Sequence, residues 1–176
     1  EMNSFFFIFS VSVVLDAKMS SKALAGATRI RVRSGALFSA LDKGQLLHHE
    51  AYVHTATQIN GRKQANLRSL GLGAPRTTRT QEGIAVLAEL ITQSIDISRL
   101  RRVALRVIAV KMGLDGADFI EVFRFFLESG QSKEESVRSA QRIFRSGDVR
   151  GGIVFTKDAV YLQGLLEVHT FLRLAI

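Results

Sequence analysis

The sequence predicts an α+β fold, mainly helical, with a small N-terminal sheet beside the helix that carries three of the four histidines. Three observations lead there. Two strand-like stretches come early, before residue 34, and six helix-like segments follow them. With 176 residues, 47% of them apolar, the chain can bury one core, so residues 1–176 read as a single domain.

The first strand signal is Ser4 to Leu15, rich in Phe and Val. It is too short for a membrane-spanning helix, which needs about 20 apolar residues. Its length also suits a signal-peptide apolar region, but Glu1-Met2-Asn3 puts no positive charge ahead of it. β-branched and aromatic content favours a buried strand; a signal-like segment and an artefact of the chain start are the other readings. Arg29-Ile30-Arg31-Val32-Arg33 alternates strictly, as a half-buried strand does, with the arginines facing out.

Ser39 and Asp42 are spaced as a capping box, opening a helix expected to run to about Asn60 and stop at Gly61. Residues 62–80, which include Pro75, read as an irregular loop. A second helix is expected from Gln81 to about Ser94, with Gly83 allowing the metal-bearing neighbour to come close. Ser98 can cap a third, to about Lys111, and Asp115 can open a fourth. In that fourth helix Phe119, Val122, Phe123, Phe126 and Leu127 form an apolar stripe that reads as core. Ser132 and Glu135 form a capping box for a fifth helix to about Arg145, and a sixth runs from about Lys157 to Leu174.

The chemistry-bearing stretch is Leu46-Leu47-His48-His49-Glu50-Ala51-Tyr52-Val53-His54, joined by Gln81-Glu82-Gly83-Ile84-Ala85. Two imidazoles and a carboxylate are a ligand set that Zn²⁺ accepts, with a fourth position left for water. Glu50, beside His49, is then placed to take that water's proton. The spacing differs from His-Glu-x-x-His, whose histidines lie roughly 40° apart around a helix. His49 and His54 are five apart, roughly 140° on a regular helix. A π-helical segment, bonded i→i+5, would bring them back toward one face, so a departure from i→i+4 is expected between about Ala51 and Ala56. The bland alternative makes Glu50 and His54 an ordinary surface pair and His48 their exposed neighbour. His169 reads as structural.

Lys plus Arg exceed Asp plus Glu by 24 to 16, for a net charge of +8. That balance favours acidic partners. No basic arm and no interleaving of aromatic with basic residues is present, so nucleic acid is not the expected partner, and no membrane span is expected. The absence of cysteine excludes disulfides and thiolate metal sites and fits a cytoplasmic setting.

Taken together, His49-Glu50-Ala51-Tyr52-Val53-His54-Thr55, Asn60-Gly61-Arg62, Gly71-Leu72-Gly73, Gln81-Glu82-Gly83-Ile84-Ala85-Val86, Gly151-Gly152 and the stretch from Thr156 to Gly164 resemble a known family. It comprises bacterial proteins labelled "flavohemoglobin expression-modulating QEGLA motif" and eukaryotic microtubule-associated tyrosine carboxypeptidases. The similarity runs from about Lys22 onward. It implies a zincin-like zinc metallopeptidase, carboxypeptidase-like, acting on a peptide or protein C-terminus. It implies zinc ligands at His49, His54 and Glu82, and the catalytic carboxylate at Glu50. Ile84 stands where Leu is usual, and family members carry a further N-terminal portion.

Such an enzyme also needs a donor for the oxyanion and a cation for the substrate's terminal carboxylate. Tyr161 and Lys157 are candidates for the first; Arg142, Arg145 or Lys157 for the second. For each, ordinary surface charge or a structural hydrogen bond is the competing reading. Glu89, seven residues after Glu82, is open between support of the metal ligands and plain exposure. Two other functions stay open: a basic helical binding or regulatory protein without catalysis, and a metal-binding but inactive fragment.

Overall fold

Alternation in the sequence becomes a small sheet in the computed structural model, which describes residues 11–19, 22–26 and 28–175. The strands are β1 (Ser12–Asp16), β2 (Ala23–Ala25) and β3 (Arg29–Arg33), in the order β1-β3-β2. β3 pairs parallel to β1, with Ile30 opposite Val13, and antiparallel to β2. Ile30 is buried, while Arg31 turns away and pairs with Asp16 at 3.4 Å. The first strand signal is corrected in part. Val11 is buried, but Val13, Val14 and Leu15 are exposed, so the described part of β1 is not a buried strand. Its earlier residues, Ser4 to Ser10, lie outside the described residues. β2 was not legible, because Ala-Leu-Ala carries no alternation.

The described chain falls into two compact units, Glu1–Asp96 with Gly164–Ile176, and Ile97–Gln163. In the first, Ser39 caps α1 (Ala40–Gln45) with the expected box: its hydroxyl accepts from Asp42 N and the Asp42 carboxylate accepts from Ser39 N. The helix continues as a ten-residue π-helix, Leu46–Thr55, and then as α2 (Ala56–Arg62). Every second residue of the π-helix from His49 to Thr55 is buried. Two neighbours account for this. Ala51 and Ile59 pack with Val11 and Ile30 of the sheet region, and Thr55 Oγ1 donates to Gly26 O at 3.1 Å. His49 and His54 meet residues of the next helix instead.

Gly61 does not end the helix, which runs on to Arg62; glycine is needed there because a Cβ would strike the backbone of Leu70 and Gly71. The expected loop contains a 3₁₀ turn, Arg68–Gly71, and the next helix, α3 (Pro75–Ile91), starts six residues earlier than expected. Pro75 is its first residue, where a fixed φ and a missing N–H cost nothing. The Thr77 and Thr78 hydroxyls both donate to Ala74 O. Gly83 does permit a close approach, but to the last helix, not to the histidine-bearing one.

The second unit holds α4 (Ile97–Leu114), α5 (Phe119–Glu128) and α6 (Lys133–Phe144). Their core is Ala109, Val110, Val122, Phe126, Ala140, Ile143 and Phe144. Phe119 and Phe123 pack against it as the stripe predicted, but Leu127 is 41% exposed and Phe125 takes part instead. Ser98 lies within the first turn of α4 rather than capping it. The cap of α5 is Asp118, boxed with Glu121; Asp115 pairs with Lys111 at the end of α4. The Ser132–Glu135 box stands as expected. A 3₁₀ turn, Thr156–Ala159, leads into α7 (Val160–Ala175), whose later residues belong to the first unit. Among the described residues, no helix is long and apolar enough to cross a membrane.

Candidate metal centre

The π-helix solves the spacing problem that His49 and His54 pose. Ala56 N–H reaches Ala51 O, five residues back, as the site required. Residues five apart then share a face, and the two imidazoles meet edge to face with centroids 4.9 Å apart. The bland surface pair is set aside, since His54 turns to α3; His48 is half-buried against Tyr52.

From α3, Glu82 enters between the two histidines. Its Oε2 lies 3.4 Å from His49 Nε2 and 3.5 Å from His54 Nε2. Four ligands at about 2.0–2.1 Å from a tetrahedral ion stand roughly 3.3–3.4 Å from one another. The buried carboxylate oxygen and the two nitrogens therefore have the mutual spacing of zinc ligands, with the imidazoles at the far edge of hydrogen-bond range. One donor atom from each residue lies within 4.8 Å of the others. The donor set fits a metal ion.

Behind His49 stands Glu89, also on α3 and fully buried, with Oε1 2.6 Å from His49 Nδ1. Plain exposure of Glu89 is excluded. Burial works against charge on His49, but hydrogen bonds to Glu82 and Glu89 and the nearby Glu50 carboxylate outweigh it. They raise its pKa from 6.5 to about 9. Glu50 itself is half-buried, one residue along the π-helix.

The other expected residues lie in the second unit. Arg142 grips Asp158 with two hydrogen bonds, from Nε to Oδ2 and from Nη2 to Oδ1, the latter 2.9 Å long. Burial alone would lower the Arg142 pKa, but Asp158 outweighs it and holds the guanidinium above its ordinary value. Arg106 and Arg145 approach the same fully buried carboxylate at 3.8 Å, and Arg145 also covers the Phe155 ring. Burial and the neighbouring Arg142 charge push Arg106 down to about 10. Tyr161 interacts with this cluster, while Lys157 is exposed on the 3₁₀ turn. His169 is exposed rather than structural. Sequence reasoning passed over Asp158 and Arg106; nothing in their spacing announces a shared contact.

A mainly helical α+β fold in which two histidines of a π-helix meet Glu82 of α3 as a largely buried donor set defines a candidate metalloprotein. A family model described as microtubule-associated tyrosine carboxypeptidase matches residues 1–176. The chain belongs to that family. No curated protein matches it.

Proposed function

We propose that the protein is a zinc-dependent carboxypeptidase with a zincin-like site, cleaving the last residue from a peptide or protein C-terminus in the cytoplasm. The carrying observation is the 3.4 and 3.5 Å spacing of Glu82 Oε2 from the Nε2 atoms of His49 and His54. The family description supports the reaction class and makes tyrosine the first C-terminal residue to test. The net charge of +8 supports an acidic substrate tail.

In this reading His49, His54 and Glu82 hold the zinc. Bound zinc supplies a water acidified toward neutrality and a polarised scissile carbonyl. The Glu50 carboxylate accepts the proton of the attacking water and returns it to the leaving amine. Tyr161 and Lys157 are the proposed donors to the oxyanion. Arg142 and Arg145 are the proposed cations for the terminal carboxylate; Arg145, 44% exposed, is the better placed to accept a new partner, since Arg142 already grips Asp158.

The test pairs zinc content after chelator-free purification with cleavage of a C-terminal peptide library by the parent and Glu50→Gln. Zinc together with Glu50-dependent release of the last residue is the expected result. Zinc without cleavage assigns an inactive metal-binding chain. A parent that takes up no zinc removes the metallopeptidase reading and leaves a binding protein.

A further inference from the structure

We infer that Glu89 is the positioning residue of this site: it fixes which nitrogen His49 presents to the metal. This rests on the zinc reading above. Glu82 and Glu89 are seven residues apart on α3, about two turns, so both carboxylates leave one face. They are 6% and 0% exposed. An ionised carboxylate can only accept, so at 2.6 Å from Glu89 Oε1 the His49 Nδ1 must carry the hydrogen. Nε2, which faces Glu82 Oε2 at 3.4 Å, is then the nitrogen whose lone pair becomes free for the ion when zinc replaces its proton. The ring is held at both ends, and a flip would break both contacts.

His54 is arranged differently. Among the described residues its ion-pair contact is with Glu82, through Nε2, and no carboxylate pairs with its Nδ1. The effect of Glu89 is therefore confined to one of the two imidazoles, which separates a positioning role from a general structural one. Glu89 also contributes charge. With Glu82 it places two carboxylates in a buried site, a charge that a bound divalent cation would balance.

The two contributions come apart in two variants. Glu89→Gln keeps an acceptor of the same shape and removes the charge; Glu89→Ala removes both. Zinc affinity is read by competition with a chromophoric chelator, and the ring nitrogens of both histidines by ¹⁵N NMR of the zinc-loaded chain. Loss of such an outer partner typically lowers metal affinity 10–100-fold. We expect about tenfold for Glu89→Gln with His49 still protonated on Nδ1. For Glu89→Ala we expect about 100-fold, with the His49 nitrogen signals displaced and those of His54 unchanged.

Urea unfolding in chelator reports whether each variant folds, and the isosteric Gln variant alone decides the matter if Ala does not. A parent that binds zinc while Glu89→Gln binds it equally well overturns the role of Glu89 and leaves the zinc site standing. Equal displacement of both histidines overturns it too. A parent that binds no zinc removes both readings together.

Discussion

Gly83 and Gly164 meet backbone to backbone where α3 crosses α7: a Cβ on Gly164 would lie 2.9 Å from Gly83 N and Cα, and one on Gly83 would overlap the Gly164 carbonyl. One turn away on each helix, Arg79 and Glu167 pair at 2.8 Å. The crossing fixes the stretch of α3 that carries Glu82, the residue next to Gly83. Two glycines that looked like separate sequence marks are thus one contact.

Neither backbone can yield without moving a helix, so Gly83→Ala and Gly164→Ala should each cost about 1–3 kcal/mol, the usual range for overpacking. The Gly83 variant should also bind zinc more weakly, because it displaces Glu82. Urea midpoints and zinc competition check both. Ile84→Leu, at an exposed position, serves as the control and should leave both unchanged. Stability of the parent level in either alanine variant would show that the helices part easily.

In the second unit, Asp158 is the fully buried anion among Arg106, Arg142 and Arg145. Breaking a buried pair by removing one partner costs about 3–5 kcal/mol, since the other charge stays behind. Asp158→Ala should lose that much, read from the urea midpoint. Asp148→Ala, which removes an exposed pair with Arg150, should leave the midpoint where it was.

These contacts mark how far the sequence could be read. Local devices were legible: the boxes at Ser39 and Ser132, the alternation around Ile30, the stripe through Val122 and Phe126. Each is decided within a few residues. Pro75, Gly61 and Gly83 were read from local convention, and distant backbones decided otherwise or chose a different neighbour. At the candidate metal centre the residue types and the five-residue spacing were visible. The bond from His49 Nδ1 to Glu89 was not, because it depends on how α3 lies against the π-helix. Asp158 could not be found at all, since its three arginines come from α4, from α6 and from the residue that follows α6.

The metal-free chain should lose stability as pH rises. Glu82, Glu89 and Glu50 raise the His49 pKa from 6.5 to about 9 against the effect of its burial. Below about 6.5 the histidine is protonated in folded and unfolded chains alike, and its favourable contacts with the carboxylates count in full. Between 6.5 and about 9 only the folded chain holds the proton, so the contribution fades and is gone above that range. Urea midpoints in chelator should therefore fall between pH 6.5 and 9, and His49→Gln should flatten the fall. A rising midpoint in the parent would contradict the arrangement of His49 between its carboxylates.

Shortening the histidine motif is the sharpest test of the π-helix. Deleting Tyr52 turns His-Glu-x-x-x-His into the familiar His-Glu-x-x-His, whose histidines share a face on a regular helix. The variant nevertheless should bind zinc at least tenfold more weakly, the lower range for losing a supporting contact. Removing one residue rotates everything after it by about 100°. Thr55 would turn from Gly26 O, and Ile59 would leave Val11 and Ile30. Gly61 would no longer face the Leu70–Gly71 backbone, where only glycine fits. The chain can keep its histidines on Glu82 only by giving up these contacts, or keep the contacts by turning His54 away. The second is the expected outcome, read as the loss in zinc competition with a near-parent urea midpoint; a lowered midpoint with parent-like zinc affinity would mark the first and contradict the prediction. A variant equal to the parent in both would mean that the i→i+5 bonding from Ala56 to Ala51 is not what aligns His49 with His54.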